Sequence, residues 1–138
     1  MSVIEKDLDE DVYIGLKLPL DHSRNGFFDR TKTSVEQSKY NIRNLLLTKK
    51  GERLGNPQFG SDLINVLFEQ EDDVESKVEE SIRSSVSQFL PFVNIVKLDI
   101  NFSETNKSLV GIELHFSLNT DLSNVEKLTI DTKSYSNN

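Results

Sequence analysis

The run Arg43-Asn-Leu-Leu-Leu-Thr-Lys-Lys-Gly-Glu-Arg-Leu-Gly-Asn-Pro-Gln-Phe-Gly-Ser-Asp-Leu-Ile-Asn-Val-Leu-Phe-Glu69 decides how the chain is read. It divides into the end of one helix, a tight crossing loop and the start of another helix. Gly51, Gly55, Pro57 and Gly60 fall within ten residues. Glycine reaches backbone angles closed to other residues, and proline fixes one. Leu54 and Phe59 sit inside the loop, and a loop anchored by its own apolar side chains is a packed turn.

Upstream of the loop, the pattern predicts a helix starting near Thr33 or Ser34, with Ser34 and Gln37 spaced as a capping box. Val35, Ile42, Leu45 and Leu46 share one helical stripe. Lys49 and Lys50 lie near the negative end of the helix dipole, with Gly51 behind them. Downstream, Ser61 or Asp62 caps a short helix carrying Leu63, Ile64, Leu67 and Phe68. The acidic run Glu69-Gln-Glu-Asp-Asp73 leads into a longer helix, with Asp72 and Glu75 as a second capping box. Val74, Val78, Ile82, Val86 and Phe89 recur at three and four residues, the clearest amphipathic stripe in the chain. Serines at 81, 84, 85 and 87 suit close packing and lower helix propensity. Pro91 ends the helix.

Beyond Phe92 the period switches to two. Val96, Leu98, Ile100 and Phe102 form one apolar face against Lys97, Asp99 and Asn101. After a turn over 103–108, Val110, Ile112, Leu114, Phe116 and Leu118 oppose Gly111, Glu113, His115 and Ser117. This predicts a long antiparallel hairpin. Residues 119–124 read as a polar loop, Leu128 and Ile130 as a third strand, and the tail from Thr132 as frayed. Near the start, residues 12–20 also alternate, but Pro19 confines that strand to an edge. Asn25-Gly26 signals a turn, and one of Phe27 and Phe28 is expected to be an anchor. The expected fold class is α+β, with N-terminal helices packed on a small C-terminal antiparallel β-sheet. The expected organisation is an extension over 1–30 with a strand, one domain over 31–132, and a flexible tail over 133–138.

Composition narrows the function. At 138 residues the chain suits a single core. A net charge of −7 argues against nucleic acid as a partner, because phosphate selects basic surface. With no cysteine, there is neither a disulfide framework nor a thiolate metal site. No apolar run approaches the ~20 residues of a membrane helix, and residues 1–11 are unlike a signal peptide. The expectation is a soluble protein of a reducing compartment, without membrane contact. Charge is segregated: residues 39–53 hold five basic and one acidic side chain, residues 62–80 eight acidic and one basic. In a monomer the two blocks could simply face each other or water; in an assembly such a split orients neighbouring subunits.

Chemistry finds little support. His22 lies in a turn and His115 on the polar face of a strand, neither with a carboxylate or second histidine at ligand spacing. No metal and no cofactor is expected. No Gly-x-Ser-x-Gly elbow or phosphate loop is present. Glu52 and Asp62 flank the crossing loop and could serve a glycoside hydrolase. However, Lys49, Lys50 and Arg53 beside Glu52 oppose a raised pKa there, Asp62 reads as a cap, and tryptophan is absent. No catalytic residue is assigned, and the chain reads as no enzyme.

The segment from Thr48 to Glu69 resembles the signature of the sheath-initiating baseplate wedge family of contractile phage tails, which has relatives in type VI secretion baseplates. Its parts are a basic Gly-x-Arg segment ending at Arg53, then Asn56-Pro57-x-Phe59-Gly60-x-x-Leu63, then Leu67-Phe68-Glu69. The resemblance implies a structural subunit of the virion tail baseplate, assembled in the host cytoplasm. Its implied partners are other wedge subunits, the tail sheath subunit and proteins near the tail tube. It implies that the first sheath ring is templated by β-strand addition, through strands bearing Val110, Ile112, Leu114, Phe116, Leu128 and Ile130. Partner docking is expected at Arg53, Pro57 and Phe59, and at Leu90, Pro91 and Phe92. The last three stand where family members carry Glu-Pro-Arg, so an apolar contact replaces an ionic one. Some members are called lysozymes, which makes a baseplate-borne peptidoglycan hydrolase the alternative function.

Overall fold

The computed structural model describes residues 15–16, 30–31, 33–68, 73–104 and 110–132. The chain divides into two compact units, Met1–Asn44 and Leu45–Asn138. In the first, β1 (Gly15–Leu16) pairs antiparallel with β2 (Arg30–Thr31), Gly15 opposite Thr31 and Leu16 opposite Arg30. These two residues are the described part of the strand expected over 12–20. The Asn25-Gly26 turn and the Phe27-Phe28 anchor lie outside the described residues.

Helix α1 (Ser34–Leu47) begins in this unit. Its cap is Thr33, one residue before the expected box: Thr33 Oγ1 accepts the Glu36 N–H at 3.1 Å, and Thr33 O the Gln37 N–H at 3.0 Å. A side-chain oxygen here satisfies a donor the helix leaves orphaned. Gln37 instead donates to Asn41 Oδ1 at 2.8 Å. At the other end, Lys49 and Lys50 fall beyond the last turn, which holds no basic residue.

The second unit carries α2 (Leu63–Phe68), α3 (Val74–Phe89), β3 (Val93–Phe102), β4 (Val110–Leu118) and β5 (Asp121–Asp131). Helices precede a three-stranded antiparallel sheet, the α+β arrangement expected, in the order β3-β4-β5. The buried apolar side chains come from the end of α1 (Leu45, Leu46), from α2 (Leu63, Ile64, Leu67), from α3 (Val78, Ile82, Val86) and from one face of the sheet. The α3 stripe is as the spacing predicts, and the residues at 81 and 85 that join it are serines. In α2 the expected stripe is shorter: Phe68 is exposed. Asp73 stands at the start of α3 without a side-chain cap bond, and Asp72 lies outside the described residues.

Two register shifts shape the sheet. Ile95 pairs with Phe116 but Lys97 with His115, leaving Val96 as one extra residue. A bulge of this kind flips side-chain parity. The apolar face of β3 therefore runs through Val93 and Ile95, then Leu98, Ile100 and Phe102, and Val96, expected on that face, is exposed. The second shift lies between Phe116, opposite Glu126, and Leu118, opposite Asp121. The expected polar loop over 119–124 is thus a two-residue turn, Asn119-Thr120, followed at once by β5. Residues 122–125 bow out of the ladder, exposing Leu122 and Val125. At the far end Thr132 is buried, not frayed. Its Oγ1 accepts the Val110 N–H at 2.8 Å and donates to Val110 O at 3.1 Å, which clamps the start of β4.

Among the described residues, Ser81 Oγ is a buried polar atom without a hydrogen-bond partner. A buried hydroxyl left unpaired costs about 1–3 kcal/mol of desolvation, and serine is a poorer helix former than alanine. Ser81→Ala is expected to stabilise the protein by about 1 kcal/mol, read as a higher urea midpoint at unchanged m-value.

Candidate functional site

The crossing loop is held from within. Gly51 donates to Pro57 O at 2.7 Å, closing the excursion over 52–56, and Ser61 donates to Thr48 O at 2.9 Å. Within it, Glu52 N–H bonds Lys49 O at 3.1 Å and Phe59 N–H bonds Asn56 O at 3.1 Å. Ser61 Oγ, fully buried, donates to Leu46 O at 2.7 Å and lies 3.4 Å from the Leu63 N–H. It ties the end of α1 to the start of α2, where the sequence offered Ser61 or Asp62 as cap. The Asp62 side chain pairs instead with Lys50 at 2.9 Å, so one member of the basic block meets one member of the acidic block within the chain.

Phe59 connects this loop to α3. Its ring meets that of Phe89 edge to face, centroids 5.3 Å apart, and the Arg53 guanidinium lies 4.0 Å from its centroid. Each such contact adds roughly 0.5–1.5 kcal/mol beyond burial. Phe59 and Arg53, expected to contact partners, thus support the loop itself. Pro57 is exposed. Leu54, expected as an inward anchor beside Phe59, is fully exposed at the tip.

Directly after Phe89 comes the Leu90-Pro91-Phe92 corner. Leu90 is buried, its N–H on Val86 O at 2.8 Å and its carbonyl taking the Val93 N–H at 3.0 Å. It anchors the corner, leaving Pro91 and Phe92 on the surface, Phe92 at 41% exposure. Asn119, within the expected polar loop, fixes the corner from the other side. Its N–H bonds Phe92 O at 2.9 Å, its Nδ2 reaches Pro91 O at 3.4 Å, and its Oδ1 accepts from Asn94 at 2.7 Å. An asparagine in the turn after an alternating strand is the signal that could have found it.

The strand residues expected to pair with sheath need correction. Val110, Ile112, Leu114 and Phe116 lie on β4, the central strand, which is hydrogen-bonded to β3 on one side and β5 on the other. Their backbone has no edge to offer, and their side chains are core. Leu128 and Ile130 lie on β5, which among the described residues pairs only with β4.

On the opposite face of the sheet, ligand atoms of Asp99, Glu113 and His115 lie within 4.8 Å of one another. His115 does, therefore, have carboxylates at ligand distance. Glu113 is two residues away on the same strand face, and Asp99 lies directly across from Glu113. The Glu-x-His spacing was readable, since residues i and i+2 of a strand share a face. These carboxylates are already engaged: Asp99 with Lys97 at 2.6 Å, and Glu113 with Lys127 at 2.8 Å and His115 at 2.9 Å. A metal ion would have to displace both lysines, and the group works as an ion ladder across three strands.

The carboxylates weighed for hydrolysis are likewise committed locally. Glu52 Oε2 accepts the Lys49 N–H at 3.0 Å, and Asp62 holds Lys50. A groove of about 560 Å³ on the outer face of α3 is lined by Ser76, Glu79, Glu80, Arg83 and Ser84. Glu79 is paired there with Arg83 at 2.7 Å, and no aromatic platform for a sugar joins them.

The glycines of the loop give a graded test. A Cβ at Gly60 (φ +128°) would lie 2.5 Å from Thr48 O, while Gly51 (φ +88°) and Gly55 have open space. Gly60→Ala is expected to cost more than about 3 kcal/mol, from strain and clash together. Gly51→Ala should cost about 1–2 kcal/mol, from its left-handed backbone alone, and Gly55→Ala less than about 0.5 kcal/mol. Urea titration ranks them.

The ion ladder predicts a pH dependence. Lys127, then His115, hold the Glu113 carboxyl below its ordinary range. Its charge therefore stabilises the fold above the unfolded value of about 4.3, and that contribution is lost as pH falls through the lower folded value. The stability gap between wild type and Glu113→Gln should be full at neutral pH, shrink in acid, and narrow with salt. Urea midpoints across the pH range check it.

Comparison with known proteins comes to bear on this geometry. The fold is similar to the crystal structure of a Geobacter sulfurreducens protein provisionally called a tail lysozyme, at a TM-score of 0.59 and 17% identity, covering 73% of this chain and 94% of that one. It is also similar to a chain in the six-fold symmetrised cryo-EM structure of the anti-feeding prophage baseplate, at a TM-score of 0.57 and 17% identity, covering 84% of this chain and 81% of that one. At such identities both likenesses speak for the fold alone. No curated protein matches the sequence. A family model, baseplate wedge protein gp25, matches residues 30–123, which take in the crossing loop, both helices after it and the first hairpin of the sheet. With most of its length inside that match, the chain belongs to the gp25 family of baseplate wedge proteins in contractile tails.

Proposed function

We propose that the protein is a structural wedge subunit of a contractile-tail baseplate. It docks on other wedge subunits through its crossing loop and the Pro91-Phe92 corner, and offers a sheet edge on which the first ring of tail sheath is templated. The observation that carries this reading is the state of the two sheet edges. On β3, the Val96 bulge interrupts the row of backbone donors and acceptors, a common way of blocking strand addition. On β5 the row has its own irregularity at residues 122–125 but runs unbroken from Glu126 to Asp131, where among the described residues only β4 pairs with it. A strand from a sheath subunit would join β5 through main-chain hydrogen bonds, with Leu128 and Ile130 turned into the core beneath it. Unlike a hydrolase, such a protein needs no cleft and no proton-transferring pair. The name of the Geobacter sulfurreducens neighbour keeps cell-wall hydrolysis as the competing reading.

Co-purification with the wedge and sheath subunits of the same particle tests the role. Phe92→Asp should weaken wedge binding at least about tenfold, the scale expected for an exposed aromatic anchor, and leave the fold intact. Leu122→Lys with Val125→Pro should leave wedge binding unchanged and abolish sheath recruitment. A wild-type chain that joins neither subunit would refute the role. Clearing of a cell-wall suspension that is lost in Glu52→Gln or Asp62→Asn would establish the hydrolase instead.

A further inference from the structure

We infer that Leu54 is a preformed knob that seats in an apolar pocket rimmed by carboxylates on a neighbouring baseplate subunit. The inference rests on the proposed wedge role. A leucine at 101% exposure gains nothing for the fold. The loop that carries it is nonetheless tightly specified. Gly51 and Pro57 close its base, Gly60 leaves no room for a Cβ against the 48–50 backbone, and Phe59 fastens it to Arg53 and Phe89. Effort spent on rigidity around a side chain that touches nothing is the mark of a contact whose ordering cost is met before binding. A Cβ placed on Gly55, next along, would meet nothing within 4 Å, so the tip is open for a partner to close around.

Charge points to the pocket's rim. Exposed Lys49, Lys50 and Arg53 flank the tip against one carboxylate, Glu52. Lys50 is paired with Asp62, and Lys49 and Arg53 together outweigh the one remaining carboxylate, Glu52, so the tip keeps a net positive charge. A partner that buries Leu54 places groups opposite these cations, and acidic side chains there speed encounter and fix orientation. The acidic groove of a second copy is the poorer occupant. Its Glu79 is already held by Arg83, and a knob-to-groove contact between identical chains is head-to-tail, propagating rings or filaments of this chain alone.

The test uses the full chain and the purified wedge subunits of the same particle, with binding followed by biolayer interferometry and the chain alone followed by light scattering. Leu54→Asp should keep the wild-type thermal melt and bind wedge subunits at least a hundredfold more weakly. Leu54→Met should stay within about threefold of wild type, because volume-conserving apolar swaps are tolerated. Lys49→Glu should slow association and flatten its salt dependence. Wild-type affinity in Leu54→Asp would overturn the inference and leave the wedge role standing. A wild-type chain that binds no wedge subunit would overturn both. Self-association of the wild type that disappears in Leu54→Asp would overturn the choice of partner.

Discussion

The stack of Arg53, Phe59 and Phe89 is the contact on which the geometry of the second unit depends. Each of its faces is worth only about a kilocalorie per mole, yet it joins segments the chain separates widely. One side belongs to the loop between α1 and α2, the other to the last residue of α3. From Phe89 the constraint passes without slack through buried Leu90 to Pro91 and Phe92, whose carbonyls are held by Asn119. The crossing loop, the end of α3 and the β4-β5 turn thus form one rigid corner, and rigidity of this kind cannot be had from any of the three alone.

The sheet adds a second constraint of a different kind. A single extra residue, Val96, reverses which side of β3 faces the core, so that Val93 and Ile95 can align with Leu118 and Phe116 while Leu98 and Ile100 align with Leu114 and Ile112. Without the bulge, one half of β3 would turn its apolar residues to solvent. The bulge therefore completes the core and roughens one edge in the same stroke. The opposite edge, β5, has its own irregularity near the Asn119-Thr120 turn but continues unbroken from Glu126 to Asp131.

How much of this could be read from residues alone follows the physics of each signal. The α3 stripe is legible because helical periodicity depends on burial, and Val78, Ile82 and Val86 are each 1% exposed or less. The hairpin was legible for the same reason. Val96 was not, because period two carries no mark of an inserted residue. The start of β5 reads as a loop because its side chains are exposed and mostly polar, and of residues 121–125 only Asp121 pairs with β4. Leu54 and Phe59 looked alike as apolar residues in a glycine-rich loop, and only tertiary contact separates the one that anchors from the one that projects. The family signature marks these residues without separating their roles: Arg53 and Phe59 support the loop, and Leu90 supports the corner.

A division of labour explains why a small, acidic chain devotes so much specification to one loop. Association is opposed by the ordering of loops and side chains at the interface, so a subunit that must seat in one orientation gains from having that order before it meets its neighbours. Gly60, with no space for a side chain, fixes the loop by excluding alternatives, and the Phe59 stack fixes it by attraction. A strand edge has the opposite property. Its hydrogen-bonding groups are generic, so β5 by itself would accept many extended segments. Specificity must then come from where the edge is held, and under the proposed role that is set by the corner. In that role the corner would supply orientation without needing to recognise the incoming strand, and the edge would supply adhesion without needing to recognise the wedge.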